Sequence, residues 1–518
     1  MESNSQNYNR RPLFSEIRKK DLTYEAMKNN VLETHLTLRK KKLENILMEK
    51  RRINTLSPND DLSQYNLLKL LPIETSVSIL KNERTDYTTV IQSLFSLVKL
   101  SDREVGKINA AIIESNLHVN LFKVLEDFSN KDESELKQED VMIVSQLLLL
   151  FGNLFTLVNN PLFVFFTQNK FLDTICNFLN YQNRSVPFNA IFTLNSYILE
   201  DENYAIYLVQ NGIIEKVIKI AKMKSNQDKN ILDCLAFLMN LIKATQVEHV
   251  EKIFSSFQFL STLLNHSNEL IVQITIKILS DVTKRFNIGE KLIAFSILDN
   301  IDNVLNKLFR SQNKFFLIPD TINILVNLSI DNSTANAILS SNVFMNLTFF
   351  FCNDNSNQNH KINTQIIENT SKLYLRSFAS NLFVDFLKEN SILVNRLAQY
   401  IGVISQFETH ILLSVFYALL SKAPYENFKS LYETVLIFKL IEVIQSDDSV
   451  KNLTISACLI IKIIKLSSKS IKQILSNCGL CDLVSNFIVN NKKIDSDSNL
   501  RQAFTALEKI LLKLPFEE

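Results

Sequence analysis

Glycine and proline are scarce in this chain, with six of the first and eight of the second among 518 residues. Turns built on either are therefore few, which disfavours β-sandwiches, barrels and α/β units with Gly-rich loops and favours helices joined by polar Asn, Ser and Asp breaks. Tryptophan is absent altogether. The six cysteines, Cys176, Cys234, Cys352, Cys458, Cys478 and Cys481, are scattered, and no charged-then-apolar leader follows Met1. Neither a disulfide scaffold nor secretion is expected, and a reducing compartment is the default. The six histidines are dispersed, and no His-Glu-x-x-His, Gly-Lys-Ser/Thr or Gly-x-Ser-x-Gly pattern occurs. No enzyme and no cofactor are therefore expected. Cys478 and Cys481 have CxxC spacing but no second ligand pair nearby, so no metal is expected either.

What is present is length and apolar content. A chain of 518 residues is too long for a single compact core, so it forms several domains or one extended array. Residues 141–169 carry no charge and include a run from Leu147 to Phe151. Gln146, Gly152, Asn153, Asn159, Asn160, Pro161 and Gln168 interrupt the stretch. It reads as a helix pair buried on all sides rather than as a membrane span, which is more uniformly apolar.

The net charge of +2 conceals an asymmetry. Residues 1–52 hold 13 Lys/Arg and 7 Asp/Glu, whereas the remainder holds 43 and 47. A cationic arm on a mildly acidic body suggests an acidic partner for the arm, either another protein or the body itself. Between Pro12 and Pro58 there is neither Pro nor Gly. Leu32, Leu36, Leu43 and Leu47 fall near helical spacing there, with Arg39, Lys40, Lys42, Lys50, Arg51 and Arg52 crowding the same half. The pattern predicts one long basic helix with a thin apolar stripe.

After Pro58 a pattern repeats: an apolar helix end, a polar break centred on Asn, then a fresh apolar run. Such breaks lie at Asn116, Asn169, Asn211, Asn342, Asn390 and Asn477. Asn169 to Asn211 is 42 residues, Asn211 to Asn342 is 131 and Asn390 to Asn477 is 87, multiples of about 43. That is the period of armadillo and HEAT repeats. A second series, Asn153, Asn195, Asn240 and Asn327, sits inside apolar helices at spacings of 42, 45 and 87. A polar amide in an apolar helix either faces solvent, where a ladder of them can hold the backbone of an extended peptide, or braces its neighbours. Spacing alone leaves both readings open. Glu200-Asp201-Glu202, just past Asn195, reads either as a lure for basic peptides or as a solvated loop.

At this point the sequence resembles the importin-α family of nuclear import adaptors. The arm segment Leu38-Arg39-Lys40-Lys41-Lys42-Leu43-Glu44, with Leu47 and Lys50-Arg51-Arg52-Ile53-Asn54 behind it and Arg11 and Phe14 ahead, is similar to the family's importin-β-binding segment. The helix Asn series matches the Asn of the family's Trp-x-x-x-Asn pairs. The resemblance implies an all-α, right-handed superhelical armadillo solenoid: a basic helical arm over 1–55 and about ten repeats over 56–518. It implies that Arg11, Arg39, Lys40, Lys42, Lys50, Arg51 and Arg52 bind importin-β. It also implies a cargo groove formed by Asn153, Asn195, Asn240 and Asn327. The chain departs from the family where Trp is expected, since the four positions before these Asn residues are Leu149, Ile191, Ala236 and Asn323. Leu and Ile can pack on lysine stems but supply no cation–π attraction, so altered recognition of basic nuclear localisation signals is expected. Shuttling between cytoplasm and nucleus follows, with importin-β and cargo proteins as partners and no direct contact with nucleic acid or membrane. The alternatives are a general armadillo scaffold and, less favoured on an acidic body lacking aromatic platforms, a nucleic-acid binder.

Overall fold

The computed structural model describes residues 69–82, 85–157, 160–182, 185–223, 228–310, 317–353, 360–378, 381–403, 405–467, 472, 475 and 479–514. The arm predicted over 1–55 lies outside the described residues. Every regular element among those described is helical, and none of these helices is long and apolar enough to cross a membrane. The chain gathers into two compact units, Met1–Ile220 and Ala221–Glu518.

The first unit comprises α1 (Ile73–Lys81), α2 (Tyr87–Glu114), α3 (Leu117–Ser129), α4 (Gln138–Leu154), α5 (Leu162–Gln168), α6 (Phe171–Asn177), α7 (Ser185–Tyr197), α8 (Glu202–Gln210) and α9 (Ile213–Ala221). Helix α2 bends at Glu104, whose φ/ψ of −125°/29° is not helical. Its first half packs as a long third helix of one repeat and its second half begins the next. The sharp turns between first and second helices place one residue in the left-handed region: Asn116 (φ 55°), Lys170 (φ 52°) and Gly212 (φ 73°). The polar breaks seen in the sequence fall at these turns, where Asn116 and Gly212 limit the steric cost and Lys170 bears it. The third helices α2, α4 and α7 stack side by side. Gly152 permits the close approach of α4 and α7, because a Cβ there would lie 2.5 Å from the Phe192 ring.

Within the uncharged stretch 141–169, α4 is buried as the sequence predicts, whereas α5 is not buried on all sides: Val164 is 65% exposed, and Pro161, Thr167, Gln168 and Asn169 are exposed. Val144, Leu147, Leu148, Leu150 and Phe151 of α4 are almost inaccessible. Phe151, Phe155, Phe166, Phe171 and Tyr197 form one aromatic cluster with ring centres 4.7–6.3 Å apart. Most of these pairs meet edge to face or tilted, the arrangement that ring quadrupoles favour.

The second unit comprises α10 (Asp228–Ala244), α11 (Phe254–Leu263), α12 (Glu269–Arg285), α13 (Gly289–Ala294), α14 (Ile297–Phe309), α15 (Ile318–Leu328), α16 (Asn332–Leu339) and α17 (Asn342–Asn353). It continues through α18 (His360–Ser377), α19 (Asn381–Glu389), α20 (Ser391–Gln399), α21 (Gln406–Lys422), α22 (Ile437–Ser446), α23 (Val450–Leu466), α24 (Leu480–Asn490) and α25 (Ser498–Leu511). The third helices α10, α12, α15, α18, α21, α23 and α25 pack each on the next. Short polar residues start several of them. Asn268 accepts from Leu270 N at 2.9 Å, and Asp497 accepts from Asn499 N and Leu500 N at 2.9 Å. Ser405 and Glu408 form a reciprocal capping box. Each such cap satisfies a backbone N–H that the helix cannot.

Candidate functional site

The third helices are largely buried and keep only parts of one side in solvent: α7 has no exposed residue, and α15 exposes Asp320 alone. In the first unit, Asn153 of α4 is 6% exposed, and its Nδ2 donates to Ser101 Oγ on α2 at 2.7 Å. Of the two roles that spacing left open, this amide occupies the bracing one. Asn195 of α7 is 5% exposed and hydrogen-bonded or otherwise engaged, and Ile191 is fully buried. Leu149 is half-buried. Further braces join α7 to α4, since Thr193 Oγ1 donates to Leu148 O at 2.6 Å and Asn189 Nδ2 donates to Ser145 Oγ at 2.7 Å. Asp201 of the acidic run caps α8, accepting from Asn203 N at 2.9 Å.

In the second unit the row is more accessible. Ala236 and Asn240 of α10 and Asn323 and Asn327 of α15 are half-buried. Asn327 Nδ2 donates to Thr283 Oγ1 at 3.2 Å on the preceding third helix α12. The series does not stop at Asn327, although its residue type changes. Asp281, Lys372, Tyr417 and Lys462 lie on α12, α18, α21 and α23, so that Asn240, Asp281, Asn327, Lys372, Tyr417 and Lys462 follow at intervals of 41, 46, 45, 45 and 45. All six keep part of their surface in solvent. A search confined to Asn misses four of the six, Asp281, Lys372, Tyr417 and Lys462.

Aromatic rings accompany these cations. Lys372 Nζ lies 5.3 Å from the centre of the Phe407 ring, and Lys462 Nζ lies 4.9 Å from that of Tyr417. Phe407 and Tyr417 are 60% and 44% exposed. Lys462 Nζ also donates to Ser421 Oγ at 2.5 Å, and its partial burial pushes its ammonium pKa down. Lys372 pairs with Glu368 one turn earlier. On the same face of α23, burial pushes the Cys458 thiol pKa up, which disfavours its reactive thiolate form.

A second basic series finishes the helices. Arg285, at the end of α12, donates from Nη1 to Ile242 O at 2.9 Å and Lys243 O at 2.8 Å, and from Nη2 to Thr245 O at 2.7 Å. These are the free carbonyls at the C-terminus of α10. Arg376 of α18 donates in the same way to Val326 O of α15, and Lys422 of α21 donates to Phe378 O just past α18. Each cation sits where the preceding helix carries its negative dipole end. Neighbours in sequence reveal nothing of this, because donor and acceptor lie 40 to 50 residues apart.

Charge is therefore uneven along the second unit. Helices α10, α12 and α15 hold five Lys/Arg and five Asp/Glu, whereas α18, α21, α23 and α25 hold nine and three. Of those three acids, Glu408 is buried in its capping box and Glu368 is paired with Lys372.

The arm residues Arg11, Arg39, Lys40, Lys42, Lys50, Arg51 and Arg52 lie outside the described residues, as does Cys478 of the CxxC pair. His118 rests edge-on against Phe165, with ring centres 4.8 Å apart.

No protein-family profile matches this chain, and no curated protein matches it. Solved structures do. An engineered protein overlaps it at TM-score 0.62 and 12% identity, covering 86% of this chain and 99% of its own. A chain from work on the phosphorylation switch that controls the interaction between cadherin and β-catenin overlaps at TM-score 0.58 and 10% identity, covering 85% of this chain and 86% of its own. A computationally designed armadillo repeat protein for modular peptide recognition overlaps 49% of this chain and 99% of its own at 15% identity and TM-score 0.40, a score from which no shared fold follows. The repeated triplet of helices, the stacked third helices and the two stronger overlaps place this chain in the all-α armadillo-repeat fold.

Proposed function

We propose that this protein is a non-catalytic nuclear import adaptor, which holds a cargo protein on the third helices of its armadillo repeats and engages importin-β through its basic arm. The observation that carries the reading is the arm sequence, Leu38 to Glu44 followed by Leu47 and Lys50 to Asn54, ahead of an armadillo array. Seven cations, Arg39 to Lys42 and Lys50 to Arg52, fall within 14 residues. On one helix they spread round the circumference at about 100° per residue, so an acidic receptor can surround them. Each exposed ion pair is weak, about 0.2–1 kcal/mol, but several on one helix add up, and salt loosens them. The adaptor then shuttles between cytoplasm and nucleus with its cargo.

Of the cargo-binding residues of this reading, Leu149 in the first unit and Ala236, Asn240 and Asn327 in the second keep some surface to offer, while Asn153, Asn195 and Ile191 are buried. Without Trp, the groove has no indole faces to clasp lysine stems, so its cargo differs from a simple basic signal. A general armadillo scaffold with no transport role is the second reading, favoured by that same lack of Trp.

The test is a pull-down of importin-β by the full chain and by a chain lacking residues 1–54. Retention by the first and loss by the second, weakening as salt rises from about 50 to 300 mM, is the expected result. Equal retention by both, or by neither, refutes the import role and leaves the scaffold.

A further inference from the structure

We infer that the outer face of α18, α21, α23 and α25 is a docking strip for an extended acidic peptide segment of a partner protein. The inference rests on the reading of the third helices as a binding surface and names its occupant, but it uses none of the arm.

Charge complementarity names the occupant. These four helices hold nine Lys/Arg and three Asp/Glu, the reverse of the chain beyond residue 52, where acids outnumber bases 47 to 43. Arg376 and Lys422 cap helices and Lys372 pairs with Glu368, so the described cations left for a partner are Lys451, Lys465, Arg501 and Lys509, which are exposed, and Lys462, which is half-buried. Among the described residues, none of Lys451, Lys462, Lys465 or Lys509 pairs with a carboxylate. Lys462 is partly desolvated against Tyr417 and Ser421. A partner carboxylate restores the charge stabilisation that this lysine gives up.

The strip also carries apolar surface suited to a peptide. Phe407 and Tyr417 stand out from α21 between the cations of α18 and those of α23. Packed helix axes are about 8–10 Å apart and an extended chain advances about 3.3 Å per residue, so a peptide crossing the strip meets a new helix about every three residues. Apolar side chains of the peptide lie on the two rings of α21, and its carboxylates follow about three residues further on at Lys462 of α23 and then at the exposed cations of α25.

A nucleic acid fits less well. It brings a charge on every nucleotide and a long-range field, and most of this chain repels it. A short acidic segment feels the local excess alone.

The test is fluorescence anisotropy on the full chain with three labelled probes: a 12-residue peptide of Asp, Glu and Leu, its counterpart with Lys in place of the acids, and a 12-nucleotide oligouridylate. The acidic peptide is expected to bind and the basic one not to. Reversing two charges with K462E and K465E together is expected to weaken the acidic peptide about tenfold or more, each reversal replacing a weak attraction by a repulsion. Tyr417→Ala is expected to weaken it several-fold, and Lys307→Glu on α14 to leave it unchanged. Should the double reversal lower helicity by circular dichroism, Lys462→Gln with Lys465→Gln replaces it and is expected to give a smaller loss in the same direction. Absent binding of the acidic peptide, binding indifferent to these variants, or tighter binding of the basic peptide or the oligouridylate overturns the inference. Importin-β retention, measured on the same samples, reports on the arm and is unaffected either way.

Discussion

Replacing Arg285 by Ala removes a cation that closes the C-terminus of a helix in the preceding repeat. Its guanidinium donates three hydrogen bonds of 2.7–2.9 Å to the carbonyls of Ile242, Lys243 and Thr245, and its Cζ lies 4.9 Å from the centre of the Phe286 ring. Each charge-assisted bond in a buried setting contributes about 1.5–3 kcal/mol. Arg285 is exposed, so water replaces most of that on removal, and a cation at an exposed helix end is worth about 0.3–1 kcal/mol. A net loss of about 1–2 kcal/mol follows. With an m-value of about 3 kcal/mol/M, the urea midpoint falls by roughly 0.3–0.7 M. Lys in place of Arg recovers about half, because an ammonium cannot span three carbonyls in one plane. Hydrogen exchange localises the effect, with faster exchange expected in the last turn of α10 and none in the first unit. A midpoint shift for Arg285→Ala below about 0.1 M, corresponding to about 0.3 kcal/mol, refutes the assignment of this cation as the structural end of α10.

Other substitutions probe the repeats separately. Asn153→Ala is expected to cost about 1–2 kcal/mol in urea unfolding through loss of the buried bond to Ser101, with no change in importin-β retention. Ser296 holds φ 54° at the turn into α14, so Ser296→Gly is expected to raise stability by roughly 0.5–1 kcal/mol, and a midpoint that falls shows the turn is unstrained. The Cys176 thiol is pushed up to about 12 from 9.0, chiefly by burial, with Lys216 opposing and Asp173 adding. Folding therefore gains nothing from pH below 9, and between 9 and about 12 the unfolded chain releases this proton first, so stability declines with pH across that window. The thiolate ultraviolet absorbance lost in Cys176→Ala is expected to appear only towards the top of it, and titration near 9 in the folded protein contradicts this.

The sequence carried the fold class and period plainly, because few Gly and Pro leave helices joined by Asn turns, and a 43-residue recurrence has few structural causes. Asn116 falls at a left-handed turn, and the breaks at Asn169 and Asn211 stand directly before two more, at Lys170 and Gly212. The uncharged stretch 141–169 was also legible, since its amides and Pro161 exclude a uniform span. Faces were harder to read. Asn153 and Asn327 share a spacing class, yet one is 6% exposed and the other half-buried. Helix phase decides that difference, and an apolar helix gives little phase information when most of its circumference is buried. Lys372, Tyr417 and Lys462 continue the Asn row in position but not in chemistry. The caps from Arg285, Arg376 and Lys422 join residues a whole repeat apart, beyond any local pattern.

The order of synthesis gives those caps a further meaning. When α10 is complete, Arg285 still lies 40 to 43 residues downstream of the carbonyls it will meet, so the nascent helix stays frayed until the next repeat emerges. Nascent chains lengthen by about 5–20 residues per second, which leaves each open end waiting for a few seconds. A chain cut short within the array leaves its last helix permanently unfinished, an exposed end that quality-control proteases can grip.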